Sequence, residues 1–334
     1  MRITVLGSGQ WGTAISQILC DAGNDVLVWG RNQVVVDEIN ASHVNRASLP
    51  GVELPHNLRA TSDLDSAFNH AEMIALAVPA QSLRESLLLW KPRFPADLPI
   101  ISTLKGIEVS TQLRMTEVIH ETLGTSEENL AILTGPNLAR EVVLRQPAGA
   151  VAASTSQVLA DQTAKAFSAP YFRVYTSNDV IGCELAGAAK NVIALAVGMS
   201  IGMGFGENTQ ALVITRGLNE VTRLGIARGA MPLTFVGLAG VGDLLATCGS
   251  PLSRNRSFGE ALGRTGSMEK ARAEVLSTVE GVATARAVVD LAHLVGVEAP
   301  IMEAVQEVVS NTITPYQAIT NLMKIHTGAE IDHA

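Results

Sequence analysis

Cysteine, positive charge and repetition are all scarce in this chain. Its 334 residues hold three cysteines, Cys20, Cys183 and Cys248, widely spaced and with no CxxC pair. That excludes a disulfide framework and fits a reducing cytoplasm. No Cys/His cluster has ligand spacing, so no metal site is expected. Lysine and arginine number 24 against 32 acidic residues, a net charge of −8. A general nucleic-acid surface is therefore not expected, and an anionic small substrate would need a local basic site. There is no internal repeat or low-complexity tract. No charged segment followed by an apolar run precedes the first strand pattern, so no signal peptide is expected.

What is present is apolar: 47% of the residues are hydrophobic, enough for sizeable cores and, at this length, for two domains. Residues 3–6 form a short β-branched strand. Gly7-Ser8-Gly9-Gln10-Trp11-Gly12 follows, then a helical pattern from Thr13, a terminator at Gly23 and a second strand over 25–29. This is GxGxxG in the context it requires, after a strand and opening a helix. Gly7 permits the tight turn, Gly9 lets backbone approach a pyrophosphate, and Gly12 allows close helix–strand packing. The anion would sit on the helix N-terminus. The second strand ends Trp29-Gly30-Arg31-Asn32, with no carboxylate for a ribose 2′-hydroxyl and with Arg31 available to a 2′-phosphate. NADP(H) is the preferred cofactor on this reading, and NAD(H) stays open.

Further strands are predicted at 73–78, 100–103, 130–133, 148–153 and 172–175, with helices near 82–90, 113–123 and 158–167 between them. Continuous apolar strands with crossover helices mean a mainly parallel sheet covered on both faces. Its ligands bind beyond the carboxyl ends of the strands, where Lys105 and the Gly135-Pro136-Asn137 turn fall. From Asn178 onward the strand pattern stops. Asn178 or Asp179 can cap a long helix through Lys190, and helices are predicted over 207–226, 270–276, 283–295, 301–309 and 316–323. The expected fold class is α/β: an N-terminal Rossmann-like, mainly parallel sheet domain (1–177) followed by a C-terminal all-α domain (178–334).

Residues 185–206 carry one ionisable side chain, Lys190, among apolar residues and five glycines. The run is long enough for a transmembrane span. Lys190, Asn191 and the glycines favour a buried helix instead. Burial lowers a lysine pKa toward the range of a general acid/base. The alternative is a lysine that snorkels to water. The segment 237–248 is glycine-rich, and its Asp243 needs a partner for which Lys190 is the candidate. Ser253, Arg254 and Asn255 offer a hydroxyl, a guanidinium fork and an amide, a set suited to a phosphate or carboxylate. They also suit a plain helix start capped by Ser253.

These residues resemble the bacterial type of NAD(P)-dependent glycerol-3-phosphate dehydrogenase. The resemblance runs over nearly the whole chain. It is carried by Gly7 to Gly12, Val78-Pro79-Ala80-Gln81, Lys105-Gly106-Ile107-Glu108, Gly135-Pro136, Lys190-Asn191-Val192-Ile193-Ala194, Thr215-Arg216-Gly217-Leu218, the 237–247 segment and Ser253-Arg254-Asn255-Arg256-Ser257-Phe258-Gly259. It implies a Rossmann domain joined to a helical domain, with the active site between them. By this match Lys190 is the catalytic acid/base and Lys105 contacts both cofactor and substrate. Gly135 and Asn137 border the substrate, and Asp243, Ser253, Arg254 and Asn255 bind it. Ser8, Trp11, Arg31, Ala139, Arg254, Thr278 and Glu280 line the dinucleotide site beside Gly7, Gly9 and Gly12. The implied reaction interconverts dihydroxyacetone phosphate and glycerol 3-phosphate and supplies phospholipid synthesis. No histidine falls in these motifs, so none is expected as the acid/base. The chain departs from the family at Ser48, Asn137 and Ile201, where relatives often have Tyr, Ser or Thr, and Asp. Two alternatives remain at this level: a sister reductase of a keto-acid such as ketopantoate, and a dinucleotide-sensing regulator. The assembly state is open, with a homodimer compatible.

Overall fold

The computed structural model describes residues 1–276 and 279–325. Its first half is a single eight-stranded sheet of order β3-β2-β1-β4-β5-β6-β7-β8. The strands are β1 (Arg2–Leu6), β2 (Asp25–Trp29), β3 (Arg59–Thr61), β4 (Met73–Leu76), β5 (Ile100–Ser102), β6 (Leu130–Thr134), β7 (Ala148–Ala153) and β8 (Phe172–Ser177). β1 to β6 are parallel in the doubly wound order 3-2-1-4-5-6. β7 runs antiparallel to β6, and β8 parallel to β7. Side chains alternate across the sheet as its pleat requires. Ile3, Val5, Val26, Val28, Met73 and Ala75 pack on one face, with α1 (Gln10–Asp21) and α7 (Gln157–Phe167). Leu6, Ile74, Leu76, Ile100 and Leu130 pack on the other, with α3 (Leu64–His70), α4 (Leu83–Trp90) and α5 (Met115–Leu123). The sheet is thus covered on both faces, as its unbroken apolar strands imply.

Several local assignments change. α1 begins at Gln10 rather than Thr13, because Gly9 is its N-cap and the motif itself turns into helix. β4 ends at Leu76, three residues before Pro79 and two short of the expected end at Val78. Nothing in the apolar pattern anticipates α2 (Gln33–Ser42), α3 or β3. β3 is three residues long, too short for alternation to show. α2 opens on Val34-Val35-Val36, a run of β-formers that packing turns to helix.

The second half is helical. α8 (Val180–Gly202) is surrounded by α9 (Glu207–Ala227), α10 (Asp243–Gly249), α11 (Arg254–Thr265), α13 (Glu280–Leu294) and α14 (Pro300–Val309), with α12 (Met268–Glu274) and α15 (Pro315–Leu322) at the margins. The short α6 (Ala139–Val143) belongs to the sheet half, where it packs on α1. The Asp179 carboxylate caps α8 by accepting from the Gly182 N–H at 2.8 Å. Glycines let α8 and α11 meet backbone to backbone. A Cβ on Gly198 would lie 2.1 Å from the Arg256 carbonyl oxygen, and one on Gly259 2.3 Å from that of Leu195. Among the described residues α8 is the one helix long and apolar enough to cross a membrane. Yet 83% of its most apolar window is buried inside the fold, which makes it a core helix.

Candidate active site

The dinucleotide turn lies at the switch point of the sheet, between β1 and β4. Gly7 has φ +125°, and a Cβ there would sit 2.6 Å from the Ala77 carbonyl oxygen. A Cβ on Gly12 would reach within 1.9 Å of the Gly7 carbonyl oxygen. Both positions demand glycine for space. Gly9 differs: nothing lies within 4 Å of where its Cβ would be. Its open side faces the α1 N-terminus, which has no side-chain cap and no acidic residue in its first turn. Those N–H groups are available to a pyrophosphate. Trp11 buries an indole Nε1 that has no partner among the described residues. Gly30 leaves room for Ser8, whose Oγ would otherwise be 2.2 Å from a Cβ. The turn is steadied by Asn45, fully buried, whose amide donates to the Ser8 carbonyl and to Thr13 Oγ1, both at 2.9 Å. Arg31 is exposed just beyond β2. An uncapped helix start, an open glycine and an orphaned indole N–H together fit a bound dinucleotide.

The second cluster forms where the carboxyl ends of β5 and β6 meet α8 and α10. Lys190 is 8% exposed and Asp243 1%. The Lys190 ammonium donates to Asp243 Oδ1 and, at 2.9 Å, to Thr247 Oγ1. Lys105, from the loop after β5, donates to Asp243 Oδ2 at 2.7 Å and to the Gly135 carbonyl at 2.9 Å. Thr247 in turn donates to the Asp243 carbonyl at 2.7 Å. Asp243 opens α10 directly after a wide helical turn over Leu238–Gly242, packed so tightly that a Cβ on Gly240 would lie 2.1 Å from the Phe235 carbonyl oxygen. Burial pulls the Lys190 pKa down to about 8. The Asp243 charge opposes that fall and the Lys105 charge adds to it. A lysine has three N–H bonds. Two of those on Lys190 are engaged, and no described residue accepts the third.

The remaining candidates divide between the two clusters. Glu280, the first residue of α13, is pushed up in pKa by burial, against the charges of Arg254, Lys190 and Lys105 and an N–H of Ala80. It therefore stands between the lysines and the exit of β4. Arg254 is exposed on the first turn of α11. Ser253 is the N-cap of that helix, accepting from the Arg256 N–H at 3.3 Å. Asn255 is turned inward: its amide donates to Asn191 Oδ1 and its oxygen accepts from the Gly281 N–H, each at 2.9 Å. Gly135 has φ +141° and packs on Ala150. Asn137, with its amide oriented to donate, reaches the carbonyls of Pro136 and Gly149 at 3.1 and 3.2 Å. Ala139 starts α6, half-buried against the sheet core. Ser48 is held through its backbone N–H by Asn45, and Ile201 packs on the helical core. Thr278 lies outside the described residues. Thr247, Asn191 and Asn45 are polar contacts that the sequence offers no local signal for, since each acts through a residue distant in the chain.

A doubly wound sheet with a glycine phosphate turn, facing a buried lysine carried by a helical half, is the build of a nicotinamide-dependent dehydrogenase. Comparison with known proteins agrees. The family descriptions "NAD-dependent glycerol-3-phosphate dehydrogenase N-terminus" and "C-terminus" match residues 2–160 and 179–320. The chain belongs to the NAD-dependent glycerol-3-phosphate dehydrogenase family. A glycerol-3-phosphate dehydrogenase (NAD(P)+) of Streptomyces coelicolor is 48% identical over 323 residues, covering 97% of this chain and 96% of that one. Its counterpart in Corynebacterium diphtheriae is 50% identical over 306 residues, covering 91% and 92%. The crystal structure of glycerol-3-phosphate dehydrogenase from Coxiella burnetii superposes with a TM-score of 0.91 at 34% identity, covering 97% of this chain and 98% of that one.

Proposed function

We propose that the protein interconverts dihydroxyacetone phosphate and sn-glycerol 3-phosphate with NAD(P)H, and that Lys190 is its acid/base. One observation carries this reading. Two lysines flank the buried Asp243 carboxylate at the carboxyl edge of the sheet, and Lys190 keeps one N–H uncommitted. The family membership and the Gly7–Gly12 turn supply the cofactor class.

Gly7, Ser8, Gly9, Trp11 and Gly12 hold the dinucleotide, with Arg31 at its ribose end and Glu280 and Ala139 along its path. The chemistry a dinucleotide bound there would supply is hydride transfer to or from the substrate carbon. As charge develops on the carbonyl oxygen, the Lys190 ammonium stabilises it and donates a proton. In the reverse direction the neutral amine takes the hydroxyl proton of glycerol 3-phosphate. Asp243 orients both lysines, and Lys105 adds positive potential. Arg254 and Ser253 bind the phosphate and fix the reacting carbon against the cofactor. Asn255 supports them through Asn191 and the start of α13. Gly135 and Asn137 shape the side of the substrate pocket. On this reading residues 1–177 form the dinucleotide domain and 178–334 the substrate domain. The burial of α8 supports a soluble enzyme, the free cysteines Cys20, Cys183 and Cys248 suit a reducing cytoplasm, and NADPH use would favour making glycerol 3-phosphate for phospholipids.

The test is parallel oxidation of NADPH and NADH with dihydroxyacetone phosphate, and with ketopantoate as the competing substrate. Turnover of the phosphate substrate alone is expected. Turnover of ketopantoate alone overturns the reading.

A further inference from the structure

The acid/base lysine sits on one half of the molecule and the dinucleotide turn on the other, so something must fix the distance between them. The segment 103–114, which leaves β5 and leads to α5, belongs by sequence to the sheet half. Its side chains belong to both halves. Ile107 is 1% exposed and is part of the helical core, and Val109 packs on that core too. At one end Lys105 grips Asp243. At the other end Arg114 donates to Glu184 Oε2 at 2.6 Å, and the Thr116 N–H and hydroxyl donate to the same carboxylate at 2.9 and 2.6 Å. Between them Glu108, 6% exposed, takes a two-pronged bond from Arg84 and one from Thr111. The segment also closes on itself, Glu108 N–H to Leu113 carbonyl at 2.9 Å.

Glu184 is the unexpected member. It stands on α8, the helix that carries Lys190, and is 6% exposed. Burial raises its carboxyl pKa, while Arg114 and Thr116 act to hold it charged. Arg114 also pairs with Glu117 at 2.9 Å and donates to Thr116 Oγ1 at 3.2 Å, and Arg228 lies 3.8 Å from Glu117. A buried charge pair of this kind contributes little net stability against an apolar substitute, so it is better read as a device that fixes register.

Resting on the role given above to Lys190, we propose that Glu184 is a positioning residue for the reaction. By clamping Arg114 and Thr116 to α8 it holds the far end of the 103–114 segment. That keeps Lys105 on Asp243 and Lys190 at its working distance from the cofactor half. The groups facing Lys190 are Asp243, Lys105, Cys248 and Glu280. Of these only Lys105 is carried by the clamped segment.

The experiment compares E184Q with the wild-type enzyme in the full chain. Displacements near 1 Å at a reacting group cost up to about a hundredfold. E184Q is therefore expected to lower kcat by about tenfold or more, with the Kd for NADPH, measured by fluorescence titration, little changed. A second readout is specific. If Lys105 slips from Asp243, its charge no longer depresses Lys190, and the alkaline limb of the reduction rate moves to higher pH. A simple loss of stability would not move that limb. T116V, which removes one hydroxyl bond, should shift both readouts in the same direction by less, and it stands in if E184Q does not fold. A folded E184Q, or a folded T116V in its place, with wild-type kcat and pH profile overturns the proposal. Full activity in K190M would instead overturn the acid/base reading, so the two failures are told apart.

Discussion

Lys105 and Lys190 share the carboxylate of Asp243, one ammonium on each oxygen. The pair spans the two halves of the molecule, and its arrangement has a direct electrostatic consequence. At Asp243 itself two cations meet one buried anion, and the nearby Glu280 carboxyl is pushed toward its neutral form by burial, which favours positive potential where a carbonyl oxygen would gain charge. The Lys105 charge makes Lys190 easier to deprotonate than it would be alone with the aspartate.

Lys190→Met should therefore remove catalysis without removing the cofactor site. The side chain keeps its length and loses its proton. General acid–base contributions run to about 10²–10⁴-fold, and kcat should fall by at least that. Asp243 retains Lys105 as partner, so the thermal midpoint should change little. Stopped-flow turnover together with NADPH titration measures both. A variant that binds NADPH normally and turns over at the wild-type rate rejects the assignment.

The pH dependence follows from the lowered pKa of Lys190, about 8 against an ordinary 10.5. Reduction uses the ammonium, so its kcat should be level below about pH 8 and decline above it. Oxidation of glycerol 3-phosphate uses the free amine and should rise through the same pH. For stability the sign is the reverse of that for a group gaining a partner. The unfolded chain holds the Lys190 proton up to about 10.5, the folded chain only to about 8. This lysine's contribution to stability therefore improves as pH rises through that window. Rate profiles in both directions that both break near 10 would contradict the buried-lysine account.

Arg254 is exposed at the first turn of α11, unlike its inward neighbour Asn255. Arg254→Ala should raise the KM for dihydroxyacetone phosphate by about 10- to 100-fold, the range of a lost charge-assisted bond. The thermal midpoint should stay within a degree or two. Asn255→Ala should behave differently. It unpairs Asn191 and the buried Gly281 N–H, so it should lower stability as well as activity. Equal thermal effects of the two substitutions would contradict this division.

Arg31 sits on the surface just beyond β2, where the proposed dinucleotide site would put its ribose. Arg31→Ala should reduce the ratio of kcat/KM for NADPH to that for NADH by about tenfold, one charged hydrogen bond to a 2′-phosphate. NADH values should hardly move. If both cofactors weaken alike, Arg31 touches a phosphate they share, and the preference lies elsewhere.

Much of this was legible in residues 1–29, where strand, glycine turn, helix and second strand follow one another closely enough for local pattern to reveal them. The pairing of Lys190 with Asp243 was also legible, because each is an isolated charge in an apolar stretch and each needs a partner. Lys105 was placed at a strand end by topology, but its grip on Asp243 depends on how the two halves dock. No periodicity encodes that docking. The same holds for Glu184 with Arg114, and for Asn45 beneath the Ser8 turn. Asn255 reads as a substrate ligand from its neighbours, and no local pattern shows that its amide also gives one N–H to Asn191 and accepts from the Gly281 N–H. β3 and α2 escaped because one is too short to alternate and the other is built from residues that favour strands.

Gly9 gives the sharpest separation of cofactor binding from folding. Gly7 and Gly12 are needed by the protein itself, since a Cβ at either would strike backbone. Gly9 has φ −72° and ψ −174°, a conformation alanine adopts without strain, and its Cβ direction is empty. In the absence of cofactor, Gly9→Ala should melt at the wild-type temperature. It should even gain slightly from the smaller entropy of its unfolded chain. The added methyl would occupy the space where a pyrophosphate approaches the backbone, so the Kd for both NADPH and NADH should rise by about tenfold or more. Gly12→Ala, by contrast, should lower the melting temperature before any cofactor is added. If Gly9→Ala bound both dinucleotides as tightly as the wild type, the phosphates would have to lie elsewhere, and the orphaned Trp11 indole would need another partner.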